Sequence, residues 1–388
     1  MIKRFWSAAG GSGSEDHEGF NDLIEQIHAC GLHPPEAMTL MVTDGCNLNC
    51  RHCWLDCRSL RNAVLAATPK ILGVIDAFAR LGGTGINLTG GEILSHPDWH
   101  RILRHCLDHA RINKVCLQTN AALFTRKHLE VLLDMPLDKF TIQVSLDGFR
   151  ARTHNFVRGP GNYDRVTAAL HLLVRAGLGN RTQVAFTEMA HNFHELPQLL
   201  EIVDQMGIGR LISSTLVKGG RAAASHHIML PTPGQYQELI NRYETDERFR
   251  NLCDQKATIS AIEWFKNRSA STDEGCSCIK NLFMDAHGHL YPCTMLLLGR
   301  YASESAYSQP LDQVIRKALI QWRGIPVLSR ERQHSIPSCT QCAGKNHCRG
   351  GCMGRAAISR GILMDPEDRC SLRKAVYLLP IGATLRSG

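Results

Sequence analysis

Six short apolar runs alternate with amphipathic helical segments across residues 38–215, and this alternation restricts the fold more than any other feature of the chain. The runs at 38–42, 85–88, 114–118, 140–146, 183–186 and 211–215 have strand length. Between them the helices have readable ends. Thr68-Pro69 reads as an N-cap followed by the first helical residue, Gly82 as a stop, and Ile71, Val74, Ile75 and Phe78 as the buried face. Pro97 opens the next helix, with Trp99, Ile102, Leu103, Cys106 and Ala110 on one side. Asn192 with Glu195 has the spacing of a capping box, ahead of a face built from Leu196, Leu199, Leu200, Val203 and Met206 and ended by Gly207. A strand–helix unit used six times predicts parallel strands with right-handed crossovers, hence an open or closed α/β barrel.

The expected organisation follows. Residues 1–36 read as a flexible start, with Gly10, Gly11, Ser12, Gly13 and Ser14 as a linker and a short helix over 21–29. The barrel covers 37–225. A bridging helical segment covers 226–270, with a helix over 233–247. Residues 271–388, rich in Cys, Gly and His, read as a loop-rich domain held by metal.

A chain of 388 residues does not need disulfides to hold a core, yet it has 16 cysteines. The N-terminus has two basic residues but no apolar h-region, and no run of 18 apolar residues occurs anywhere. The expectation is therefore metal or redox chemistry in a reducing compartment, a cytoplasmic protein with no membrane span. The formal charge of +8 is spread out, and adjacent basic residues come in pairs such as Arg126-Lys127 and Arg373-Lys374. Without a basic stripe interleaved with aromatics, no nucleic-acid partner is expected.

Cys46, Cys50 and Cys53 fall within eight residues directly after the first strand. Three thiolates on one loop supply three corners of an iron–sulfur cubane and leave the fourth iron open. A loop after a barrel strand points into the mouth where such barrels place their chemistry. Zinc, with Cys57 as fourth ligand, is the alternative from spacing alone. Cys106 on an apolar helix face and Cys116 in a strand read as core. His105 and His109 read as a solvated helix face. Glu188, His191 and His226-His227 lie beyond the fifth and sixth strands as candidate proton-transfer groups, with ordinary loop residues as the alternative.

The Cys-x3-Cys-x2-Cys loop resembles that of the radical S-adenosylmethionine (SAM) enzymes. Further segments agree: Leu88-Thr89-Gly90-Gly91-Glu92, Gln118-Thr119-Asn120, Val144-Ser145-Leu146-Asp147-Gly148, and His154 through Arg158-Gly159. The resemblance implies a partial (β/α)6 TIM-like barrel and a [4Fe–4S] cluster on Cys46, Cys50 and Cys53, with SAM chelating the open iron. It places His52 near the adenine. It makes Gly90 and Gly91 the close approach to the methionine part of SAM, with the Glu92 segment bonding its ammonium. Ser145, Asn120 and Arg158 become SAM contacts.

The C-terminal cysteines resemble the SPASM extension of that family. Cys278 and Cys293 precede Cys339-x2-Cys342-x5-Cys348-x3-Cys352, and Cys370 follows. The resemblance implies two auxiliary [4Fe–4S] clusters. One takes Cys278, Cys293 and Cys352, and the other takes Cys339, Cys342, Cys348 and Cys370. For the first, the sequence leaves Cys276, Cys253 or an open iron as the fourth position.

The implied chemistry is reductive cleavage of SAM to a 5′-deoxyadenosyl radical that abstracts hydrogen from substrate. The implied partners are a ribosomally made peptide or protein side chain as substrate, a flavodoxin- or ferredoxin-type electron donor and a separate leader-recognition protein. Tetrapyrrole side chains and small metabolites are the alternative substrates. Thr294 after Tyr291-Pro292-Cys293 departs from the aspartate of anaerobic sulfatase maturases. A non-catalytic iron–sulfur or zinc protein is the alternative of a different class.

Overall fold

The computed structural model describes residues 14–268 and 276–379, and for residues 14–20 the backbone alone. The linker glycines 10, 11 and 13 lie outside this range, and Ser14 opens the first helix.

The six expected strands all form, as β1 (Ala37–Met41), β2 (Gly85–Thr89), β3 (Lys114–Thr119), β4 (Phe140–Ser145), β5 (Thr182–Glu188) and β6 (Arg210–Thr215). They pair in sequence order and in parallel. Helices α2 (Thr68–Arg80), α3 (Trp99–Asp108), α4 (Arg126–Leu133), α6 (Asn162–Arg175) and α7 (Leu196–Gln205) cross between strands, with a shorter α5 (Ala151–Arg158) after β4. Apolar side chains of strands and helices share one core; Met38, Leu40, Leu88, Leu117, Ile142 and Val184 have no exposed surface, and Ile71, Ile75 and Phe78 meet them from α2. The same parallel order turns every strand's C-terminal end to one side, which gathers the loops after β1, β2, β3 and β4 at a common mouth.

Two helix starts differ from the expectation for a tertiary reason. Ala67 is the N-cap of α2, and Thr68 instead donates its hydroxyl to Asp98 Oδ2 at 2.7 Å. Asn192 and Glu195 form no capping box. Asn192 donates to the carbonyls of Asp147 and Thr187, at 3.0 and 2.9 Å. Glu195 accepts from Phe149 N, Arg150 N and Thr153 Oγ1. Both side chains anchor the loop after β4 rather than a helix end. Within the first 36 residues the described helix is longer than the expected 21–29. Helix α1 (Ser14–Ala29) buries Leu23 and Ile27 in the main core.

Beyond α8 (Gly220–Ala224), α9 (Pro233–Thr245), α10 (Glu247–Lys256) and α11 (Ser260–Lys266) bridge to the Cys-rich region, with the two-residue β7 (Ala257–Thr258) beside β6. The sheet continues on its other side. β8 (Asn281–Met284) pairs parallel with β1, and β9 (Leu290–Tyr291) pairs antiparallel with β8. The Cys-rich region is thus welded to the barrel sheet. It is also less loop-rich than expected, because α12 (Leu311–Trp322) and α13 (Ile325–Ser335) precede α14 (Met353–Arg360) and α15 (Cys370–Tyr377). Helix α12 buries Val314, Ile315, Ala318, Leu319 and Trp322 at helical spacing.

Candidate active site

Cys46, Cys50 and Cys53 lie on the loop that leaves β1, which is held from three sides. The turn after β2 holds the first. Gly91 N donates to Thr43 O at 2.7 Å and Glu92 N to Gly45 O at 2.8 Å. A Cβ on Gly91 would sit 2.3 Å from Gly45 O, and one on Gly90 would sit 2.9 Å from Thr43 O. These two glycines therefore give the backbone of the cysteine loop its close approach. The buried Glu92 carboxylate accepts from Thr119 Oγ1 at 2.6 Å, Asn120 N at 2.7 Å and Leu94 N at 3.1 Å. Burial still pushes its pKa above the usual range, against those bonds. Asn120, fixed this way, aims its amide at Cys46 Sγ (3.6 Å) and Asn47 Oδ1 (3.0 Å).

The loop after β4 holds the second side. Asp147 has no exposed surface and accepts from Arg158 Nε at 2.6 Å and Thr187 N at 2.7 Å, with His52 Nε2 at 3.3 Å. Burial alone would raise its pKa, but the Arg158 guanidinium beside it holds it well below the carboxylate range. Burial brings His52 down to about 4 and His154 to about 3, so both imidazoles are neutral. Arg158 faces Cys50 electrostatically as well. His52 and Arg158 thus spend their contacts on Asp147, behind the loop. Ser145 ends β4 and is half-buried.

The third side was not anticipated. Arg221, in α8, donates from its backbone N to Cys53 O at 3.0 Å and from Nε to Cys50 O at 2.9 Å. Its Nη1 reaches Cys57 O at 3.0 Å and Asp56 Oδ1 at 2.8 Å. Gly220, at φ +49°, leaves space that a Cβ would take within 2.8 Å of Cys53 O. The sequence signal is the Gly219-Gly220-Arg221 run after the sixth strand. Replacing Arg221 with Met removes charged donors worth about 1.5–3 kcal/mol each. The expected result is several-fold faster iron loss under chelator challenge, read from absorbance decay.

Burial pushes the Cys46 thiol up to about 12 and raises Cys50. Cys53 is drawn down to about 6 by the hydrogen bond it accepts from Cys57. Three soft sulfur donors, two of them half-buried and one buried, are the donor chemistry of an iron–sulfur site. Among the described residues no three His, Cys, Asp or Glu side chains close around a point as a single metal ion requires.

Two further thiol sets lie in the Cys-rich region. Cys276 and Cys278 share a hydrogen bond, and Cys293 and Cys352 stand in electrostatic reach of Cys276. Cys253 is elsewhere, buried in α10 beside Asp254 and Lys266. Cys339, Cys342, Cys348 and Cys370 line one pocket with Arg373 and Tyr377. Glu188 is not open at the mouth. It is fully buried and accepts from Ser213, from Thr215 at 3.0 Å and from Tyr236 at 2.5 Å. His191 packs on Phe156, ring centroids 5.0 Å apart. His105 lies 2.6 Å and His109 3.8 Å from Asp76. Cys106 is core, and Cys116 is half-buried in β3.

A parallel α/β partial barrel with a three-thiol loop at its mouth defines the class, and the radical SAM superfamily model matches residues 40–203. Residues 40–203 carry a radical SAM domain, and the chain is an enzyme. It is similar to the AdoMet-dependent heme synthase of Methanosarcina barkeri, 26% identical over 359 residues, covering 87% of this chain and 97% of that protein. It is also similar to the mycofactocin maturase MftC of Mycobacterium ulcerans, 27% identical over 359 residues and covering 90% of each. In fold it resembles Streptococcus suis SuiB bound to precursor peptide SuiA, with a TM-score of 0.68, 16% identity, and coverage of 94% of this chain and 83% of that one. The family brings a [4Fe–4S] cluster and SAM to the site.

Proposed function

We propose that this chain cleaves SAM reductively at the Cys46, Cys50 and Cys53 loop and takes a hydrogen atom from a side chain of a ribosomally made peptide or protein. The observation that carries this is the convergence of three thiols, the Glu92–Asn120 pair and the Asp147–Arg158–His52 cluster on one barrel mouth. The peptide part leans on the sequence likeness to mycofactocin maturase along 90% of both chains. Bound at the mouth, the cluster and SAM supply one-electron cleavage and hydrogen abstraction.

The protein's own residues do the rest. Cys46, Cys50 and Cys53 hold three irons. Asn120 and Ser145 would contact SAM, Asn120 with its amide already set beside Cys46. Glu92, Gly90 and Gly91 fix the loop from the β2 side. His52 and Arg158 fix it through Asp147, and Arg158 offsets thiolate charge at Cys50. Two auxiliary [4Fe–4S] clusters sit in the Cys-rich region, one on Cys276, Cys278, Cys293 and Cys352, the other on Cys339, Cys342, Cys348 and Cys370. A flavodoxin- or ferredoxin-type donor, a separate leader-recognition protein and a cytoplasmic setting complete the reading. Among the described residues no helix is long and apolar enough to cross a membrane.

One observation favours a second substrate. The heme synthase relative matches at 26% identity over 97% of its length, which fits a tetrapyrrole side chain. Anaerobically reconstituted protein given SAM and a strong reductant should release 5′-deoxyadenosine. No release from fully iron-loaded protein would overturn the reading. Mass spectrometry then separates the substrates. A mass change in a short peptide encoded beside the gene supports the first, and a change in an added porphyrinoid with the peptide untouched replaces it by the second.

A further inference from the structure

Arg332, on α13, is a charged side chain with no exposed surface. Its Nη2 donates to the carbonyls of Gly350 and Asp365, at 2.5 and 2.9 Å. Its Nε and Nη1 are buried and have no hydrogen-bond partner. A buried guanidinium with two unpartnered nitrogens and no carboxylate bonded to it is strongly unfavourable unless other negative charge faces it.

The groups that face it are sulfurs. Gly350 lies between Cys348 and Cys352, at φ +79°, and a Cβ there would meet Arg332 Cβ at 2.8 Å and Nε at 3.4 Å. The guanidinium therefore packs directly on the turn that carries one cysteine of each auxiliary set. Cys352, Glu367, Cys339 and Cys348 act on Arg332 electrostatically, and Arg332 acts on Cys276 and Cys339. Cys276 and Cys352 belong to one set, Cys339 and Cys348 to the other. Glu367 is already engaged. It pairs with Arg369 at 2.8 Å and with Arg373, and accepts from Cys352 N at 2.9 Å. Its charge is matched without Arg332.

We propose that Arg332 is a shared positioning and tuning residue for the two auxiliary clusters, its free N–H groups donating to sulfurs of both and its charge holding both reduction potentials up. The inference rests on reading the eight cysteines as two cluster sites. A cluster with four thiolates is an anion, and reduction adds further negative charge. A fixed cation between two such anions favours their reduced forms, and hydrogen bonds to sulfur act in the same direction. One side chain therefore sets the two potentials together, in the sense that helps the pair accept an electron from a substrate radical.

The test uses anaerobically loaded full-length chain, its Arg332→Lys variant and its Arg332→Gln variant. Iron and sulfide are counted first, and EPR-monitored redox titration follows. In Arg332→Gln both auxiliary midpoints are expected to move to lower potential while the cluster on Cys46, Cys50 and Cys53 stays in place. Arg332→Lys should lie close to wild type. Loss of auxiliary iron in Arg332→Gln alone, restored in Arg332→Lys, also supports the charge role. Unchanged midpoints, an equal shift in both variants, or equal loss of iron in both would overturn it. A wild-type chain that binds iron for one cluster only would instead sink the two-cluster reading on which it stands.

Discussion

Cys50→Ala is expected to reduce 5′-deoxyadenosine release to background while about two thirds of the bound iron remains, the share of two clusters out of three. Cys50 is buried and faces Arg158. Its carbonyl, not its side chain, takes the bond from Arg221, so alanine leaves that clasp intact. Two thiolates do not hold a cubane, whereas the eight auxiliary cysteines lie on other elements and are untouched. Cys57→Ala is the control, because the Cys57 side chain meets the site through its hydrogen bond to Cys53 while its carbonyl keeps the bond from Arg221, and the variant is expected to leave cleavage running. The measurement is product release by chromatography alongside iron content. Cleavage persisting in Cys50→Ala, or lost in Cys57→Ala with Cys50→Ala active, would move the site to a different set of thiols.

The parts of this molecule legible in its sequence are those written locally. The α2 face of Ile71, Val74, Ile75 and Phe78 is buried as its period predicts, because burial follows helical spacing wherever a helix meets a sheet. The three-cysteine loop is legible for the same reason: its ligands are seven residues apart end to end. Capping residues were misread because Thr68, Asn192 and Glu195 found tertiary partners that outcompete a helix end. Helix α12 carried an apolar period that the surrounding Cys and Gly content obscured. Arg221 and Arg355 are not legible for a different reason. Arg221 meets Cys50 across 171 positions and Arg355 meets Thr215 across 140, and nothing in local spacing encodes such pairs. The place of Cys253 in the core, beside Asp254 and Lys266, is likewise set by the fold and not by spacing.

Arg355→Met is expected to lower stability by about 3–5 kcal/mol, the cost of breaking a buried ion pair from one side. Arg355, on α14, is 4% exposed and grips both oxygens of Asp368 at 2.8 Å, with Asp368 itself 9% exposed. The same guanidinium donates to Thr215 O at 3.2 Å, at the end of β6, and to Leu216 O just beyond it. Methionine keeps the apolar stem but leaves Asp368 without its partner and two carbonyls unsatisfied. Lysine keeps the charge without the planar fork and should fall between. Anaerobic denaturant titration, with iron content matched, reads the difference. Function should fail in a characteristic way. The three cysteines at the mouth and their three clasps are untouched, so SAM cleavage continues. The clamp between the Cys-rich region and β6 is lost, so 5′-deoxyadenosine should accumulate with less substrate modified per molecule released. A variant that is equally unstable but keeps wild-type coupling between cleavage and modification would show that this arginine serves folding alone.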